Sequence, residues 1–374
     1  MFSTLNMGGV LVTPAQLQAM QANDYILHVR DGRLHEVPVE KIRLPRDPQG
    51  HTQRLCMAQS PNGTLYAAQH TLLHKSSDGG RTWTHLARDP TVCDGWRIAL
   101  DGRGAIINVG QAGPDEPPTV FASYDDGLHW TAIGQIDIGA EEVLSLGFSM
   151  TRLADDTLLV PVLVGADRIG DGKQAAKRPA TCRIYRSTDG GRTWPHYSVL
   201  GDWCCEVNVA QMPSGKLLAS IRYQRPSLPD DPPDLLQRTG ALAANHNIPF
   251  KHVFIAHSDD NGLSWSKPRQ LATVLGQCYG HGVGLSKNRA IIVTDHRYPR
   301  EMGGGRAMVS RDGGQTWANE VYYLSHGRAA GYAATLNIDG EEMLTLTGSC
   351  YGDVERWENC IGRTEFVLVR WQLV

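Results

Sequence analysis

The sequence has no excess of charge of either sign and no long apolar run. Its 36 lysine and arginine residues nearly balance 39 aspartate and glutamate residues, which gives no electrostatic argument for binding nucleic acid or an anionic membrane. No segment approaches the roughly 20 apolar residues of a membrane span, and the N-terminal segment has no basic stretch followed by an apolar run. We therefore expect no nucleic-acid or membrane partner, and either a cytoplasmic location or export without a recognisable signal.

Patterns that bind metals, phosphates or nucleotides are also missing. The eight cysteines are scattered, and the vicinal Cys204 and Cys205 have no second pair nearby, so we interpret them as buried, reduced thiols. There is no GxxxxGK[ST] loop, and the GGGR run that ends at Arg306 lies in a predicted loop instead of at a helix start. We expect no cofactor and no obligatory metal.

One eight-residue pattern, SxDxGxxW, occurs five times. The copies end at Trp83, Trp130, Trp194, Trp265 and Trp317, and successive copies are 47 to 71 residues apart, which suits a four-stranded blade with variable loops. Each copy lies between two predicted strands and is therefore typical of a hairpin turn. Its Asp carboxylate can accept backbone N–H groups, its Gly allows a positive φ, and its Trp can cover the gap between strands. We interpret the copies as structural, not as calcium or sugar sites.

This repeat predicts an all-β chain that forms one six-bladed β-propeller domain over 1–374. We place the blades at about 50–90, 93–136, 143–200, 203–272, 278–325 and 330–374. The sixth blade lacks the repeat and takes AAGYAATLNIDG, EEMLTLTG and EFVLVRWQLV as strands. Segment 1–49 contains YILHVRDGRLHEVPVEKIRL, which can supply its fourth strand and so close the ring with N- and C-terminal strands. A seventh blade within the N-terminal part is the alternative. Thr13 predicts the start of a short helix that extends to Asn23.

Polar residues on the inner strands are the candidates for a site, because the first strand of each blade lines the central channel. Residues equidistant from a tight turn face each other across a hairpin. This rule pairs Glu206 with Arg222, Arg54 with His70, and His281 with Arg297. A solvated channel lining and a structural salt bridge are the alternatives for these pairs.

The repeat resembles the Asp box of the sialidase (neuraminidase) superfamily, over about residues 50 to 374. Asp boxes also occur in non-catalytic propellers, lyases and other glycosidases, so the resemblance identifies fold and leaves activity open. EVNVAQMPSGKLLASIR, which runs from Glu206 to Arg222, resembles the family pattern ExxVAxxxxGxLxxxxR. Arg54 in QRLCM and Arg306 in GGGRAMVSRDGG resemble the first and third arginines of the family triad, and Tyr332 in AAGYAATL resembles its nucleophilic tyrosine.

The resemblance implies a glycoside hydrolase that acts on a carbohydrate with a carboxylate group. Three guanidiniums, those of Arg54, Arg222 and Arg306, would bind the carboxylate through charge-assisted hydrogen bonds. Glu206 would act as the general base that makes Tyr332 a competent nucleophile. A phenol avoids repelling an anionic substrate, and sialidases are exceptions to the usual two-carboxylate mechanism.

The sequence departs from the family in the catalytic acid. Sialidases carry an Asp in a loop after the second strand of the first blade, but AAQHTLLHKSSDGG runs directly from His70 into the first repeat. The proton donor then falls to His70, Asp115 or Glu116. With His70 and Tyr332 as acid and base, a polysaccharide lyase or glycosidase acting beside a uronic acid is the second hypothesis. A non-catalytic propeller that binds a glycan or a protein is the third.

The fifth blade carries a further polar cluster, formed by His281, Asp295, His296 and Arg297. We interpret it as a hydrogen-bonded network that braces the channel. Metal binding is the alternative, although no HxxxH or HExxH spacing on a helix supports it. His281 and Arg297 are also counted as candidate substrate-binding residues.

Overall fold

The computed structural model describes residues 7–45, 55–69, 72–87, 97–110, 116–139, 142–147, 149–165, 179–273, 275–277, 279–327, 332–350 and 362–374. The first strands along the chain are β1 (Tyr25–Arg30), β2 (Arg33–Pro38) and β3 (Glu40–Leu44). They follow a 3-10 turn (Met7–Gly9) and helix α1 (Pro14–Ala22). Within the described ranges, no helix has the length and apolar character needed to cross a bilayer.

The strands of the described ranges form six antiparallel sheets, one for each blade of a propeller. Blade one contains β4 (Leu55–Gln59), β5 (Leu65–Gln69), β6 (Leu72–Ser76) and β7 (Thr84–Ala87). Blade two contains β8 (Ile98–Leu100), β9 (Ile106–Gly110), β10 (Thr119–Ser123) and β11 (Thr131–Gln135). Blade three contains β12 (Glu142–Leu146), β13 (Thr151–Arg152), β14 (Leu158–Gly165), β15 (Thr181–Ser187) and β16 (His196–Asp202).

The remaining blades have the same plan. Blade four contains β17 (Cys204–Gln211), β18 (Leu217–Arg225), β19 (Phe250–Ser258) and β20 (Arg269–Gln270), with helix α2 (Leu235–Arg238) between β18 and β19. Blade five contains β21 (Gly280–Leu285), β22 (Arg289–His296), a 3-10 turn (Arg300–Met302), β23 (Gly304–Ser310) and β24 (Glu320–Tyr323). Blade six contains β25 (Ala333–Asn337), β26 (Glu342–Ser349) and β27 (Glu365–Gln372). The prediction of a six-bladed propeller is confirmed.

The first strand of each blade lines the central channel. β17 contacts β21, β21 contacts β25, β25 contacts β4, and β4 contacts β8, while β13 lies between β8 and β17. Because neighbouring strands within a blade are antiparallel, the start of each first strand lies at the same end of the channel as the end of each second strand. Side chains at these two positions in different blades can therefore meet.

N-terminal strands complete two blades. β3 pairs with β27 and is the fourth strand of blade six, so strands from both terminal parts of the chain close the ring. The first part of the segment expected in blade six instead extends blade five, because β1 pairs with β24 and β2 pairs with β1. Helix α1 begins as predicted, with Thr13 and Gln16 forming a capping box.

The five repeated turns share one hydrogen-bond pattern. In every copy the Ser hydroxyl accepts the backbone N–H of the Gly in the SxDxGxxW pattern, four residues later, at 2.8 to 2.9 Å. The Asp carboxylate accepts the backbone N–H four residues later at 2.8 to 3.0 Å. The backbone N–H groups of each turn thus find acceptors within the same turn, as the sequence predicted, and this supports a structural role for the turns.

Apolar side chains fill the space between neighbouring sheets. Leu55 and Leu65 of blade one, for example, pack in one cluster with Leu344 and Leu368 of blade six. Since both faces of the second strand of a blade are covered, it contains a continuous apolar run, as in the AIIV of β22. Among the described cysteines, Cys204 is buried, Cys205 is partly buried and neither forms a disulfide.

Candidate active site

Four of the predicted site residues lie at the channel end where the first strands begin. Glu206 is in β17 and Tyr332 immediately precedes β25, so both come from first strands. Arg222 is in the second half of β18, and Arg297 immediately follows β22. Blades four, five and six thus bring their polar side chains to one place.

A β-bulge sets the position of Glu206. Cys205, not Glu206, pairs with Arg222, and the register shifts before Asn208. The pairing predicted by counting from the turn is therefore wrong by one residue, because counting cannot allow for a bulge. Glu206 has a φ of 46°, in the left-handed region that non-glycine residues seldom adopt. Bulges beside active sites commonly re-aim a side chain, and here the Glu206 carboxylate still reaches Arg222.

Glu206, Tyr332 and Arg222 form a hydrogen-bonded triangle. Glu206 Oε1 accepts from the Tyr332 hydroxyl at 3.0 Å and from Arg222 Nη1 at 2.6 Å. Arg222 Nη1 also lies 3.5 Å from the Tyr332 hydroxyl oxygen. The side chains of Glu206 and Arg222 are only 14% and 11% exposed, so their charge-assisted bond is largely shielded from water. The phenol proton faces a carboxylate oxygen that can accept it.

Gln224 fixes the guanidinium of Arg222. Gln224 Oε1 accepts from Arg222 Nε at 2.9 Å and from Nη2 at 2.6 Å. The two residues are two positions apart on β18, so their side chains share one face of the sheet. Because Gln224 is itself buried, the planar guanidinium is held in one orientation before any ligand arrives.

A second arginine lies over the ring of Tyr332. The central carbon of the Arg297 guanidinium is 5.6 Å from the Tyr332 ring centroid, within cation–π range. Arg297 Nε donates to the carboxylate of the fully buried Asp295. The other oxygen of Asp295 accepts the backbone N–H of Tyr279 at 2.8 Å. Asp295 thus joins the guanidinium to the start of β21.

Tyr279 forms an apolar wall beside Tyr332. The two ring centroids are 4.9 Å apart, and Tyr279 is 1% exposed. Burial raises the pKa of the Tyr279 phenol well above its ordinary value, and Cys56 and Glu206 add to the rise. Tyr279 therefore stays neutral, and the Tyr332 hydroxyl donates to Glu206.

Arg306 lies in the interior of blade five. Its side chain is 1% exposed, Nη2 donates to the carbonyl of Met302 at 2.8 Å, and the guanidinium lies 4.7 Å from the ring centroid of Tyr323. Burial lowers its pKa to about 10. Arg297 is therefore the arginine of this blade found beside Tyr332.

His281 does not face Arg297, contrary to the prediction. It pairs with Val293, because the turn after β21 ends at Asn288 and lies two residues earlier than the counting assumed. His281 accepts the backbone N–H of Thr335 at 3.4 Å, and burial lowers its pKa to about 4. With the later residues of the inner strands it lines a cavity of about 420 Å³ toward the other end of the channel.

The predicted residues Arg54, His70 and Asp115 lie outside the described residues, and Glu116 is exposed. The bounds of β5 and β6 nevertheless bear on the catalytic acid loop that the sequence lacks. Residues 70 and 71 alone separate β5 from β6, so there is no room between these strands for an acid-bearing loop. Asp78 accepts the Thr82 hydroxyl at 2.6 Å, and this bond and the backbone N–H of Thr82 hold its pKa well below the usual range.

Sequence reasoning missed Gln224 and Tyr279. The signal for Gln224 was available, since residue i+2 on a strand shares a face with residue i, here Arg222. Tyr279 directly precedes β21 as Tyr332 precedes β25, so the equivalent position in the neighbouring blade would have identified it. Within the described ranges, no group of three His, Cys, Asp or Glu side chains is placed to hold a metal ion.

Comparison with solved structures identifies the fold. No protein-family model and no curated protein matches the chain. A Hadza microbial sialidase is 15% identical, with a TM-score of 0.60 over 91% of this chain and 69% of its own. An α-L-arabinofuranosidase from Fusarium graminearum, solved with an iminosugar inhibitor, is 13% identical, with a TM-score of 0.61 over 90% of this chain and 97% of its own.

A protein of unknown function from Dyadobacter fermentans is also similar. It is 15% identical, with a TM-score of 0.59 over 90% of this chain and 98% of its own. At these identities the likeness extends to the fold, and function has to be argued from the site. The chain has the six-bladed propeller fold found in sialidases and in this arabinofuranosidase.

Proposed function

We propose that this sialidase-like propeller is a glycoside hydrolase that cleaves the glycosidic bond of a carboxylate-bearing sugar, with Tyr332 as nucleophile and Glu206 as its base. The observation that carries the proposal is the 3.0 Å hydrogen bond from the Tyr332 hydroxyl to Glu206 Oε1. A free tyrosine has a pKa of about 10 and is a weak nucleophile, so it needs a base within this distance. Two of the similar structures are named as glycosidases, which supports a sugar as the substrate.

The reaction proceeds in two displacements. The Tyr332 oxygen attacks the anomeric carbon while its proton passes to Glu206, and the bond to the leaving oxygen breaks. The leaving oxygen takes a proton from a donor, for which the sequence offers His70, Asp115 or Glu116. Water then attacks the anomeric carbon and gives its proton to that donor, while the released phenolate recovers its proton from Glu206. All groups return to their starting protonation states.

Arg222 and Arg297 would hold the carboxylate of the sugar, with Arg54 as the third candidate. Both guanidiniums are already oriented, Arg222 by Gln224 and Arg297 by Asp295. Preorganised donors of this kind lose little side-chain freedom when a ligand binds. The neutral Tyr332 phenol does not repel the anionic sugar, whereas a carboxylate nucleophile would.

The test is hydrolysis of an aryl α-sialoside, and of aryl glycosides of uronic acids, at pH values from about 4 to 8. We expect turnover by the native chain and its loss in Glu206→Gln and Tyr332→Phe. Tyr197→Phe and Glu36→Gln are the matched controls, since both side chains are exposed on outer strands. Full activity in Tyr332→Phe would refute the assigned nucleophile.

The absence of room between β5 and β6 favours a second candidate, a lyase or glycosidase that acts beside a uronic acid with His70 and Tyr332 as acid and base. A lyase forms an unsaturated product that absorbs ultraviolet light, and a hydrolase does not. Incubation with uronate-containing polysaccharides therefore separates the two hypotheses. Release of the absorbing product, lost in Tyr332→Phe, would replace the hydrolase proposal with the lyase.

A further inference from the structure

A second cavity opens beside the Glu206 and Tyr332 site, on the side of blades four and five. We call it the blade-four cavity and define it by its walls: the 226–249 connection between β18 and β19, residues 273 and 275, and residues 298–300. Its volume is about 590 Å³. This is within the range of ligand pockets and is large enough for a sugar unit.

The cavity lies close to the candidate active site. Tyr298 lines it and directly follows Arg297, whose guanidinium covers the Tyr332 ring. Gly276, with a φ of 85°, packs closely against both Arg297 and Tyr298. The charge of Arg222 also reaches His246 in the cavity wall, where burial, Lys251 and Arg222 together lower the imidazole pKa. A ligand held at Arg222 and Arg297 would therefore lie close to the cavity.

The 226–249 connection is held by specific contacts. Arg225 forms two hydrogen bonds to the Asp231 carboxylate, at 2.6 and 2.7 Å, and both side chains are largely buried. The backbone N–H of Leu228 donates to the same carboxylate at 2.7 Å. Farther along, the N–H of His246 donates to the carbonyl of Ala241 at 2.8 Å, and Ala241 is fully buried. The wall of the cavity is preorganised.

The lining has the chemistry of a site for a neutral sugar. Thr239, Asn245 and Thr273 line it with uncharged polar side chains, the exposed Arg300 adds a guanidinium that can donate to hydroxyl groups, and no acidic residue lines it within the described ranges. His246 Nδ1 accepts the N–H of Ile248 at 3.0 Å, which assigns the proton of the neutral ring to Nε2 as a donor. The Tyr298 ring, 6.2 Å from the His246 ring and nearly perpendicular to it, adds an apolar surface.

We infer that the blade-four cavity binds a neutral, hydroxyl-rich sugar unit next to the acidic sugar in the catalytic site, so that the protein selects an oligosaccharide and not a monosaccharide glycoside. Hydroxyl groups of that unit would meet His246, Asn245 and Thr239, and its apolar face would pack on Tyr298. This inference rests on the proposed function for its catalytic context, whereas binding in the cavity can be measured without catalysis.

The kinetic test compares two substrates with the same acidic sugar, one linked to an aryl group and one linked to lactose. Ala243→Trp fills the cavity from its exposed rim without removing a contact, and His246→Ala removes the donor. We expect both variants to lower kcat/KM at least tenfold for the lactose glycoside and to leave the aryl glycoside within twofold. Leu242→Ala, exposed on the same connection outside the cavity lining, is the control and should change neither.

The binding test uses calorimetric titration of lactose and of the lactose glycoside into the Tyr332→Phe chain, with and without Ala243→Trp. We expect Ala243→Trp to weaken binding of the lactose glycoside at least tenfold. Equal binding with and without Ala243→Trp, in a variant that melts like the parent, would overturn the inference. If the native chain hydrolyses no substrate but this titration still shows the loss, the proposed hydrolase fails and the sugar site stands.

Discussion

The Tyr332 hydroxyl donates to Glu206 Oε1 across 3.0 Å and so joins the start of blade six to the start of blade four. Arg222 shares the same carboxylate oxygen at 2.6 Å. The carboxylate therefore has two partners with different roles. In the proposed reaction it takes the proton of the Tyr332 phenol, and in the folded protein it balances the charge of the largely buried Arg222 guanidinium.

Glu206→Gln and Tyr332→Phe should differ in stability although both abolish turnover. The first substitution leaves the Arg222 charge largely buried without its counter-charge, which costs about 1–3 kcal/mol of the free energy of unfolding. The second removes one hydroxyl and should cost about 1 kcal/mol or less. Urea denaturation of both variants measures the difference. Equal losses would mean that Glu206 does not balance Arg222.

Gln224→Leu should weaken substrate binding more than it slows catalysis. It removes the acceptor of two Arg222 hydrogen bonds and leaves Glu206 and Tyr332 unchanged. We expect KM for the acidic substrate to rise about tenfold, equivalent to ~1.4 kcal/mol, with kcat within about threefold. Gln224→Glu should raise KM further, because its charge would compete with the sugar carboxylate for Arg222. Steady-state kinetics of the two variants check this order.

Arg297→Gln should raise KM for the acidic substrate, whereas Arg306→Gln should leave KM unchanged. Arg297 lies over Tyr332, so its loss should raise KM at least tenfold. Because Arg297→Gln also leaves the buried Asp295 carboxylate without its cation, it should cost about 1–3 kcal/mol of the free energy of unfolding. Arg306 is fully buried and donates to the Met302 carbonyl, so its loss should cost about 1–3 kcal/mol of the free energy of unfolding. Kinetics and urea denaturation of each variant test the contrast. The opposite pattern would restore Arg306 as the carboxylate ligand.

Stability should decrease on acidification, with His28 as one contributor. His28 is 4% exposed, stacks on Tyr322 at 4.1 Å, and has both ring nitrogens without a partner among the described residues. Burial, then the charges of His35 and Arg30, lower its pKa from 6.5 to about 4. The unfolded chain thus takes up the proton first, and the free energy of unfolding falls as the pH drops from 6.5 toward 4.

The slope from one such group is at most ~1.4 kcal/mol per pH unit in that window. His28→Phe keeps an aromatic ring on Tyr322 and removes the titration. Urea denaturation at pH 7 and pH 5 should therefore show a smaller difference for His28→Phe than for the native chain. Identical differences would exclude His28 as a contributor.

Ser187→Ala tests the role of the repeated turns. The Ser187 hydroxyl donates to Asp189 at 2.8 Å and accepts from the Gly191 N–H at 2.9 Å, and Ser187 is fully buried. Its removal leaves a buried N–H unsatisfied and should cost about 1–3 kcal/mol of the free energy of unfolding, with turnover unchanged. Thermal melting and the glycoside assay measure the two quantities. Ser264→Ala, in the exposed part of another turn, is the control and should cost less.

The fold was predictable because its strongest signals are local. Each turn satisfies its own hydrogen bonds within eight residues, so the pattern around Trp194 or Trp317 is complete in the sequence. Hairpin counting singled out Glu206 and Arg222, although one residue out of register, and the family resemblance added Tyr332.

The remainder depends on contacts that a sequence does not display. The bulge at Glu206 follows from backbone geometry. The turn between β21 and β22 is centred two residues earlier than expected, and the presence of Asn288 in the sequence did not fix its position. Arg297 and Arg306 both lie in blade five, and only three-dimensional packing shows that Arg297 reaches Tyr332. The β1 and β2 hairpin joined blade five because its partner β24 offers a free edge, which no local pattern encodes.

The pairing of β1 with β24 and of β3 with β27 also fixes an order of events during synthesis. The strands that are synthesised first pair with strands that are synthesised last: β24 begins about 290 residues after β1 ends. At about 5–20 residues per second, a ribosome needs roughly 15 to 60 s to cover that distance. Until then β1, β2 and β3 remain unpaired with the sheets they complete, so a chaperone that binds the nascent chain has its longest opportunity at these strands.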